Sequence, residues 1–145
     1  MSDRNDAPPP RPMPRIDAVN RPFFDGCNDG RVVIQKCEAA GCGRHVYYPR
    51  VCCPHCHGAR LAWVEVTGAG RIVSHTTVHR PHHPAFYPDA PYVFAAVRLD
   101  EGPIVYATVL DAPAEGSLTG RSVTPAFTQH TPHQKLLAFR LSPQD

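Results

Sequence analysis

The cysteines constrain the fold of this chain more than any other feature, because four of the six form two close pairs. Cys37 and Cys42 enclose four residues, Cys53 and Cys56 enclose two, and ten residues separate the pairs. Zn²⁺ takes four soft ligands in a tetrahedron, and two cysteine pairs on loops supply such a set without a large core. The spacing therefore predicts one zinc ion per chain, held by these four residues.

The second pair contains an ambiguity, because Cys52 directly precedes Cys53. Cys53 has the better spacing to Cys56, and Pro54 favours a turn after it, so Cys53 is the expected ligand and Cys52 the alternative. Cys27 lies outside the pattern and is expected to be a packed free thiol. Two further alternatives remain open: disulfides or unligated thiols, and a ligand role for a nearby histidine, namely His45, His55 or His57.

A zinc ion with four thiolates has no open coordination position for water or substrate, so this zinc is expected to be structural. The chain also lacks the nucleophile elbow, the phosphate-binding loops and the zinc-protease helix motif that mark independent catalysts. We therefore expect a protein without a catalytic centre of its own.

Composition changes along the chain and predicts three segments. Residues 1–22 contain six prolines and few large apolar side chains, so they are predicted to form a flexible arm. Residues 23–66 begin with one or two helical turns and continue with short β-branched or aromatic runs around the cysteines, as in a zinc ribbon. Residues 67–145 hold five longer strand candidates, which predict a small barrel or sandwich.

The predicted strands are short and end at Gly, Pro or Cys. Asp100 to Pro103 is a tight-turn signal that should pair the strands on either side of it as a hairpin. The last two strands are expected to be joined by a loop containing Pro132. The runs are 31–37, 45–49 and 61–66 in the ribbon, and 70–80, 92–99, 104–110, 122–128 and 136–141 in the barrel.

Composition also excludes several classes of protein. The 17 prolines among 145 residues make an all-helical fold untenable. The net charge of +2 is too small for the electrostatic footprint of a typical nucleic-acid-binding domain. No apolar run reaches the ~20 residues of a membrane span, and residues 1–10 lack the apolar stretch of a signal peptide. We expect a cytoplasmic protein without a membrane partner.

The segment from His79 to Tyr92 mixes histidine, Arg80, aromatic residues and prolines. Prolines stiffen a loop and so reduce the entropy lost on docking. Arg80 offers a cation for a phosphate, while Phe86 and Tyr92 offer aromatic anchors. The segment is predicted to contact a ligand or partner through His79, Arg80, Phe86 and Tyr92, and a plain loop at the barrel end is the alternative. A catalytic metal on these histidines is not expected, because His75 and His79 would lie ~13 Å apart on a strand.

Four stretches in this order carry a family resemblance: PFFDGCNDGRVVIQKC, PRVCCPHCHG, LAWVEVTGAGRIVSHTTVHRPHHPAF and PYVFAAVRLDEGP. Together they resemble DUF35, a bacterial and archaeal family with a rubredoxin-like zinc ribbon followed by an OB-fold. The resemblance runs from about Pro22 to the C-terminus. It implies a short helix near 23–28, the ribbon at 31–65 and a five-stranded OB barrel after it. The family typically has Cys-x2-Cys twice, whereas Cys37 and Cys42 enclose two extra residues.

The resemblance also implies a function. Members look like non-catalytic partners of thiolase-like enzymes, or of hydratases and aldolases acting on acyl-CoA, and some are thought to bind or channel acyl-CoA. The alternative is a module that binds single-stranded nucleic acid, since OB barrels and zinc ribbons both serve that purpose. In that case the aromatic residues would stack on bases, although their alternation along the strands is typical of core packing: Tyr92, Phe94, Tyr106 and Phe127.

Overall fold

A computed structural model describes residues 9–143 of the chain. Residues 1–8 of the predicted arm lie outside this range. The described chain runs through one helix, a three-stranded sheet and a closed barrel. No helix within residues 9–143 is both long and apolar enough to cross a lipid bilayer.

Helix α1 spans Arg21–Asn28, two residues earlier than the resemblance implies. Pro22 lies in its first turn, where a missing N–H costs nothing because that group has no helical partner. One face of the helix is buried, and the chain leaves it through Gly30 at a φ of +72°. The buried residues are Phe23, Phe24, Gly26 and Cys27.

The ribbon sheet contains β1 (Val32–Cys37), β2 (His45–Val46) and β3 (Leu61–Val66) in the antiparallel order β2-β1-β3. The predicted strand 45–49 is thus reduced to two residues. The physical reason is that the Gln35 side-chain amide of β1 bonds the carbonyl and N–H of Arg50. After Val46 the chain is therefore held by this side chain and no longer by backbone pairing with β1.

The barrel contains β4 (Gly70–Val78), β5 (Tyr92–Leu99), β6 (Ile104–Leu110), β7 (Ser122–Thr131) and β8 (Gln134–Leu141). It closes in the order β4-β5-β6-β8-β7, in which only the β6–β8 pair is parallel. The predicted mainly β architecture, a short helix and zinc ribbon followed by a five-stranded OB barrel, is confirmed.

Two connections differ from the sequence-based expectation. The loop predicted around Pro132 is a tight turn, because β7 and β8 extend until Thr131 pairs with Gln134. A proline fits there because the turn needs no N–H from it. The stiff segment between β4 and β5 contains a 3₁₀ helix at Pro84–Asp89, which begins with the Ala85 N–H donating to His83 Nδ1 at 3.0 Å.

One hydrophobic core spans the helix, the base of the ribbon and the barrel. Alternate strand residues point inward, as the two-residue period of a strand requires. At the junction between ribbon and barrel, Gly68 has a φ of +73° and lies against Val32 and Pro125, so a side chain at this position would clash. Glu101 Oε1 accepts hydrogen bonds from the Thr67 and Gly68 N–H groups at 2.9 and 3.3 Å. These contacts pack the ribbon firmly onto the barrel.

Candidate metal centre

Four cysteine thiols meet at the end of the ribbon. The Sγ atoms of Cys37, Cys42, Cys53 and Cys56 all lie within 4.8 Å of one another. Cys37 and Cys56 are 3.6 Å apart and Cys42 and Cys53 are 3.8 Å apart, so each thiol is close to one from the other pair. The structure thus brings together the four residues that the spacing singled out.

The first pair is held by the end of β1 and the turn that follows. The Cys37 N–H donates to the Arg44 carbonyl at 2.9 Å, and the Cys42 N–H donates to the Ala39 carbonyl at 3.1 Å. Gly41, at a φ of +82°, lets the longer four-residue connection fold back. The two extra residues therefore do not move Cys42 away from the cluster.

The second pair lies in a tight turn. The Cys53 N–H donates to the Gly58 carbonyl at 2.8 Å, which closes the turn. The His55 N–H points to Cys53 Sγ, and the Gly58 N–H points to Cys56 Sγ, both at 3.4 Å. Backbone N–H groups directed at sulfur favour the thiolate form, which is the form that binds metals.

The thiol pKa values differ within the cluster. Burial opposes ionisation of Cys53, but hydrogen bonds from the Cys56 and His55 backbone and from neighbouring thiols lower its pKa to about 7. A hydrogen bond from the Ala39 backbone lowers the pKa of Cys37, yet burial and the three neighbouring thiols outweigh it and raise that pKa to about 12. Hydrogen bonds to sulfur thus favour a thiolate in this cluster, and the charge of a bound cation would favour ionisation of the remaining thiols.

The geometry of the cluster fits a metal ion. A tetrahedral site with metal–sulfur bonds of about 2.3 Å has sulfur–sulfur edges of about 3.8 Å, and the Cys37–Cys56 and Cys42–Cys53 separations are close to this length. Four soft thiolates suit zinc or iron and do not suit the hard cations magnesium and calcium. The cluster therefore has the donor set and the dimensions of a closed tetrahedral metal site.

The remaining thiols and the nearby histidines lie apart from this site. Cys52 is exposed, so the turn directs Cys53 inward in its place. Cys27 is buried in the main core, where burial raises the pKa of its thiol to about 11. His55 accepts a hydrogen bond from the Arg44 guanidinium at 3.1 Å. Among the described residues, the clustered metal-binding group contains no histidine.

The segment from His79 to Tyr92 is exposed at its start but packed against the rest of the chain at Phe86, unlike a free docking loop. His79 and Arg80 are exposed after β4, and Tyr92 is half-buried at the start of β5. Phe86 is also half-buried, because the Arg11 guanidinium lies over its ring at 5.1 Å and the His130 ring stacks on it at 6.1 Å. Phe86 is already engaged within the chain.

The contact of Arg11 was not foreseen from sequence. Arg11 also pairs with Asp89 at 2.6 Å, and the neighbouring Pro12 carbonyl accepts a hydrogen bond from His130 at 2.7 Å. Part of the predicted arm therefore lies against the segment between β4 and β5. Nothing in the local pattern around Arg11 signals this, because its partners are far away along the chain.

The expectation that barrel aromatics pack in the core is wrong for two of them. Phe94 and Tyr106 are exposed on β5 and β6, with ring centroids 6.5 Å apart and planes 17° from parallel. Both positions alternate with small or β-branched residues such as Ala95 and Val105 that fill the interior. Alternation separates the aromatics from the smaller residues on each strand, but it does not show which face is inside.

Comparison with known proteins agrees with this architecture. The family model described as "ChsH2, rubredoxin-like zinc ribbon domain" matches residues 24–62, and that described as "ChsH2, C-terminal OB-fold domain" matches residues 63–128. A solved structure titled "Ltp2-ChsH2(DUF35) aldolase" contains a chain that superimposes with a TM-score of 0.77 and is 32% identical. The match covers 89% of this chain and 98% of that chain.

Two curated relatives extend the comparison. A "Probable enoyl-CoA hydratase alpha subunit" of Thermomonospora curvata is 35% identical over 130 residues, which are 90% of this chain but 40% of that protein. The present chain thus spans about two fifths of that relative. A "DUF35 domain-containing scaffold protein" of Methanothermobacter thermautotrophicus is 33% identical over 63% of this chain and 68% of that protein. The chain belongs to the DUF35 family, with a ChsH2-type rubredoxin-like zinc ribbon and OB-fold.

Proposed function

We propose that this protein is a non-catalytic accessory subunit of an acyl-CoA enzyme complex, with a thiolase-like enzyme as its partner. The observation that carries the proposal is the match to a chain of the "Ltp2-ChsH2(DUF35) aldolase" structure over 98% of that chain, together with the matches to both ChsH2 domain models. Similarity to a scaffold protein and to a hydratase subunit supports the same class of role. The names of the relatives also allow a hydratase or an aldolase as the partner.

Zinc is the metal that we propose for the cysteine cluster. The site would be held by Cys37, Cys42, Cys53 and Cys56, whose thiols come from two separate turns. A bound zinc ion supplies a crosslink between the turns and charge neutralisation of the thiolates, and with four protein ligands it has no open position for substrate. Its role in this chain is structural.

The other two cysteines support a non-catalytic role. A nucleophilic cysteine needs a thiolate and access to substrate. Cys27 is buried and has a raised pKa, so it has neither. Cys52 is exposed, but among the described residues no histidine, lysine or arginine makes a hydrogen bond to its thiol, so it lacks the paired base typical of a catalytic cysteine.

Of the four residues predicted to make a contact within the segment from His79 to Tyr92, only the two exposed ones at its start are free to contact a partner or CoA. Arg80 is exposed and can meet a phosphate or a carboxylate. Phe86 and Tyr92 are half-buried, and Phe86 is held by Arg11 and His130. In the proposed role Phe86 and Tyr92 fix the segment, while His79 and Arg80 make the contact.

Purification of the untagged native protein under mild conditions tests the proposed function. We expect a thiolase-like or other acyl-CoA enzyme subunit to copurify at a fixed stoichiometry through gel filtration, and acyl-CoA turnover to require both proteins. The isolated chain should have no such turnover. Acyl-CoA turnover by the isolated chain would contradict the non-catalytic role, and purification of the chain without an enzyme subunit would contradict the accessory role.

A second candidate function is supported by the exposed pair Phe94 and Tyr106. The pair lies on β5 and β6, the second and third strands of the barrel, where OB-folds commonly bind oligonucleotides. Binding of single-stranded nucleic acid would weaken with salt by a log–log slope of about −0.7 per contacted phosphate. We expect only weak binding. Submicromolar affinity at physiological salt that is lost in a Phe94→Ala, Tyr106→Ala double variant, and kept in Tyr87→Ala, would favour this candidate.

A further inference from the structure

Two buried polar side chains fix one exposed turn of the ribbon. Gln35, only 4% exposed, donates from Nε2 to the Arg50 carbonyl at 2.8 Å and accepts from the Arg50 N–H at 2.7 Å. Asn20, also buried, donates from Nδ2 to the Tyr48 hydroxyl at 3.2 Å. Burying an amide is costly unless its hydrogen bonds are made, so both interactions hold the segment in one conformation.

We refer to the fixed segment, residues 48–51, as the 48–51 turn, and three of its residues are exposed: Tyr48, Arg50 and Val51. Val51 is 74% exposed and Tyr48 is 44% exposed. The Arg50 side chain is exposed although its backbone is tied to Gln35. The turn therefore offers two exposed apolar side chains, Tyr48 and Val51, and the cation of Arg50 to a partner.

The stretch of the ribbon that contains the turn is basic. Between residues 36 and 60 the chain has four exposed cations and a single acid, Glu38, although the whole chain carries only +2. None of the four takes part in the ion pairs found among the described residues. The cations are Lys36, Arg44, Arg50 and Arg60.

Part of this charge lies at the cysteine cluster. Arg44 and Arg60 are joined to it through their carbonyl oxygens, which accept from the Cys37 and Glu38 N–H groups. Four thiolates around a divalent ion carry a net negative charge, and these two arginines can offset it. Arg50 is held to Gln35 through its backbone, and its exposed side chain makes no ion pair among the described residues, so its charge is available to a partner.

We propose that the 48–51 turn is a docking site for an acidic protein surface on the acyl-CoA enzyme subunit. This inference rests on the proposed function and adds to it the place and chemistry of contact. Tyrosine and arginine are enriched at the energetically important positions of interfaces. A turn already held in one conformation loses little entropy on docking, and the excess of cations in this stretch of the ribbon speeds association with an acidic partner.

A protein surface suits the turn better than a nucleic acid does. Val51 gains free energy only when another apolar group removes it from water, and a phosphate backbone offers no such group. The stacked aromatic pair suited to bases lies elsewhere, on the barrel. The partner surface expected here is an apolar depression bordered by aspartate and glutamate.

The experiment uses the enzyme subunit that copurifies with the native protein. Its affinity for the parent chain, Arg50→Glu and Val51→Asp is measured by isothermal titration at low and high salt. Both side chains are exposed, so melting temperature and metal content should match the parent. We expect each variant to bind at least tenfold more weakly, and Arg50→Glu to lose most of the salt dependence. The matched control is Arg71→Glu, an equal charge change at an exposed arginine of β4 that forms no ion pair among the described residues, and it should alter affinity less than twofold.

The outcomes separate this inference from the proposed function. If no enzyme subunit copurifies, the accessory role fails and the docking site fails with it. If the subunit copurifies but both variants bind within twofold of the parent, the docking site is wrong and the accessory role stands. If Arg50→Glu weakens binding of a single-stranded oligonucleotide and leaves enzyme binding unchanged, the turn contacts nucleic acid, which also overturns the proposal.

Discussion

The side-chain amide of Gln134, the first residue of β8, donates to the carbonyl oxygen of Phe24 in α1 at 3.1 Å. Both residues are buried. A second contact lies beside it, since the Lys135 N–H donates to Asn28 Oδ1 at 2.8 Å. The helix that leads into the ribbon is thereby fastened to the β7–β8 hairpin of the barrel.

Replacing Gln134 should therefore loosen the helix from the barrel. Gln134→Ala removes a buried hydrogen bond and leaves a small cavity, so we expect the free energy of unfolding to fall by about 1–3 kcal/mol. Urea denaturation followed by circular dichroism measures the loss. Gln129→Ala on the exposed part of the same hairpin is the control and should change stability by less than about 0.5 kcal/mol. Equal effects of the two variants would mean that the Gln134–Phe24 bond contributes little.

The assignment of the metal ligands can be tested with two neighbouring cysteines. Cys53 lies in the thiol cluster and Cys52 is exposed beside it. We expect Cys53→Ser to lose zinc and Cys52→Ser to retain about one zinc ion per chain, as measured by elemental analysis of purified protein. The opposite pattern would show that Cys52 is the ligand.

Removal of the metal should destabilise the ribbon. The small cluster of Cys37, Val46 and Cys53 has few apolar neighbours, whereas apparent zinc-binding free energies in small domains are about 10–16 kcal/mol. A strong chelator should therefore lower the melting temperature of the parent and change its circular dichroism. Stoichiometric zinc should restore both. A metal-free protein that melts like the parent would contradict a structural metal.

The buried thiol of Cys27 should make stability depend on alkaline pH. Its pKa is raised from 9.0 to about 11 by burial in the folded state, so above pH 9 the unfolded chain ionises first and stability falls. Between pH 8 and pH 10 the loss should be roughly 1 kcal/mol. Urea denaturation of the parent and of Cys27→Ala across this range measures it, and the variant should show a shallower slope. The scan stops at pH 10 because burial also raises the pKa of Tyr47, which adds to the effect at higher pH.

The segment from His79 to Tyr92 can be tested through Arg80. Arg80→Ala removes an exposed cation, and we expect weaker complex formation or slower acyl-CoA turnover by the reconstituted complex, with folding and metal content intact. Arg71→Ala, another exposed arginine on the barrel, is the control. Phe86→Ala should in addition lower the melting temperature, because Arg11 and His130 pack on that ring. If Arg80→Ala and Phe86→Ala both assemble and support turnover like the parent, the segment is only scaffolding.

Much of the fold could be predicted from local signals. The spacing of Cys37, Cys42, Cys53 and Cys56 indicated the cluster, because soft-ligand geometry restricts which spacings can meet. The tight-turn signal from Asp100 to Pro103 indicated the β5–β6 hairpin, whose register pairs Arg98 with Ile104. These features depend on residues close together along the chain, so their chemistry is readable without the rest of the molecule.

Other features required the tertiary structure. Alternation separated Phe94 and Tyr106 from the smaller residues beside them on each strand but did not show which face is interior. The β5–β6 register places both aromatics on one face, and in the closed barrel the smaller residues lie inside. The Arg11 guanidinium lies over the Phe86 ring although the two residues are 75 positions apart along the chain. Likewise, the sequence of β1 alone does not show that Gln35 bonds the Arg50 backbone. Each of these features depends on which distant segments pack against one another. Hydrophobic burial and strand pairing over the whole chain determine that packing, so no local sequence pattern contains it.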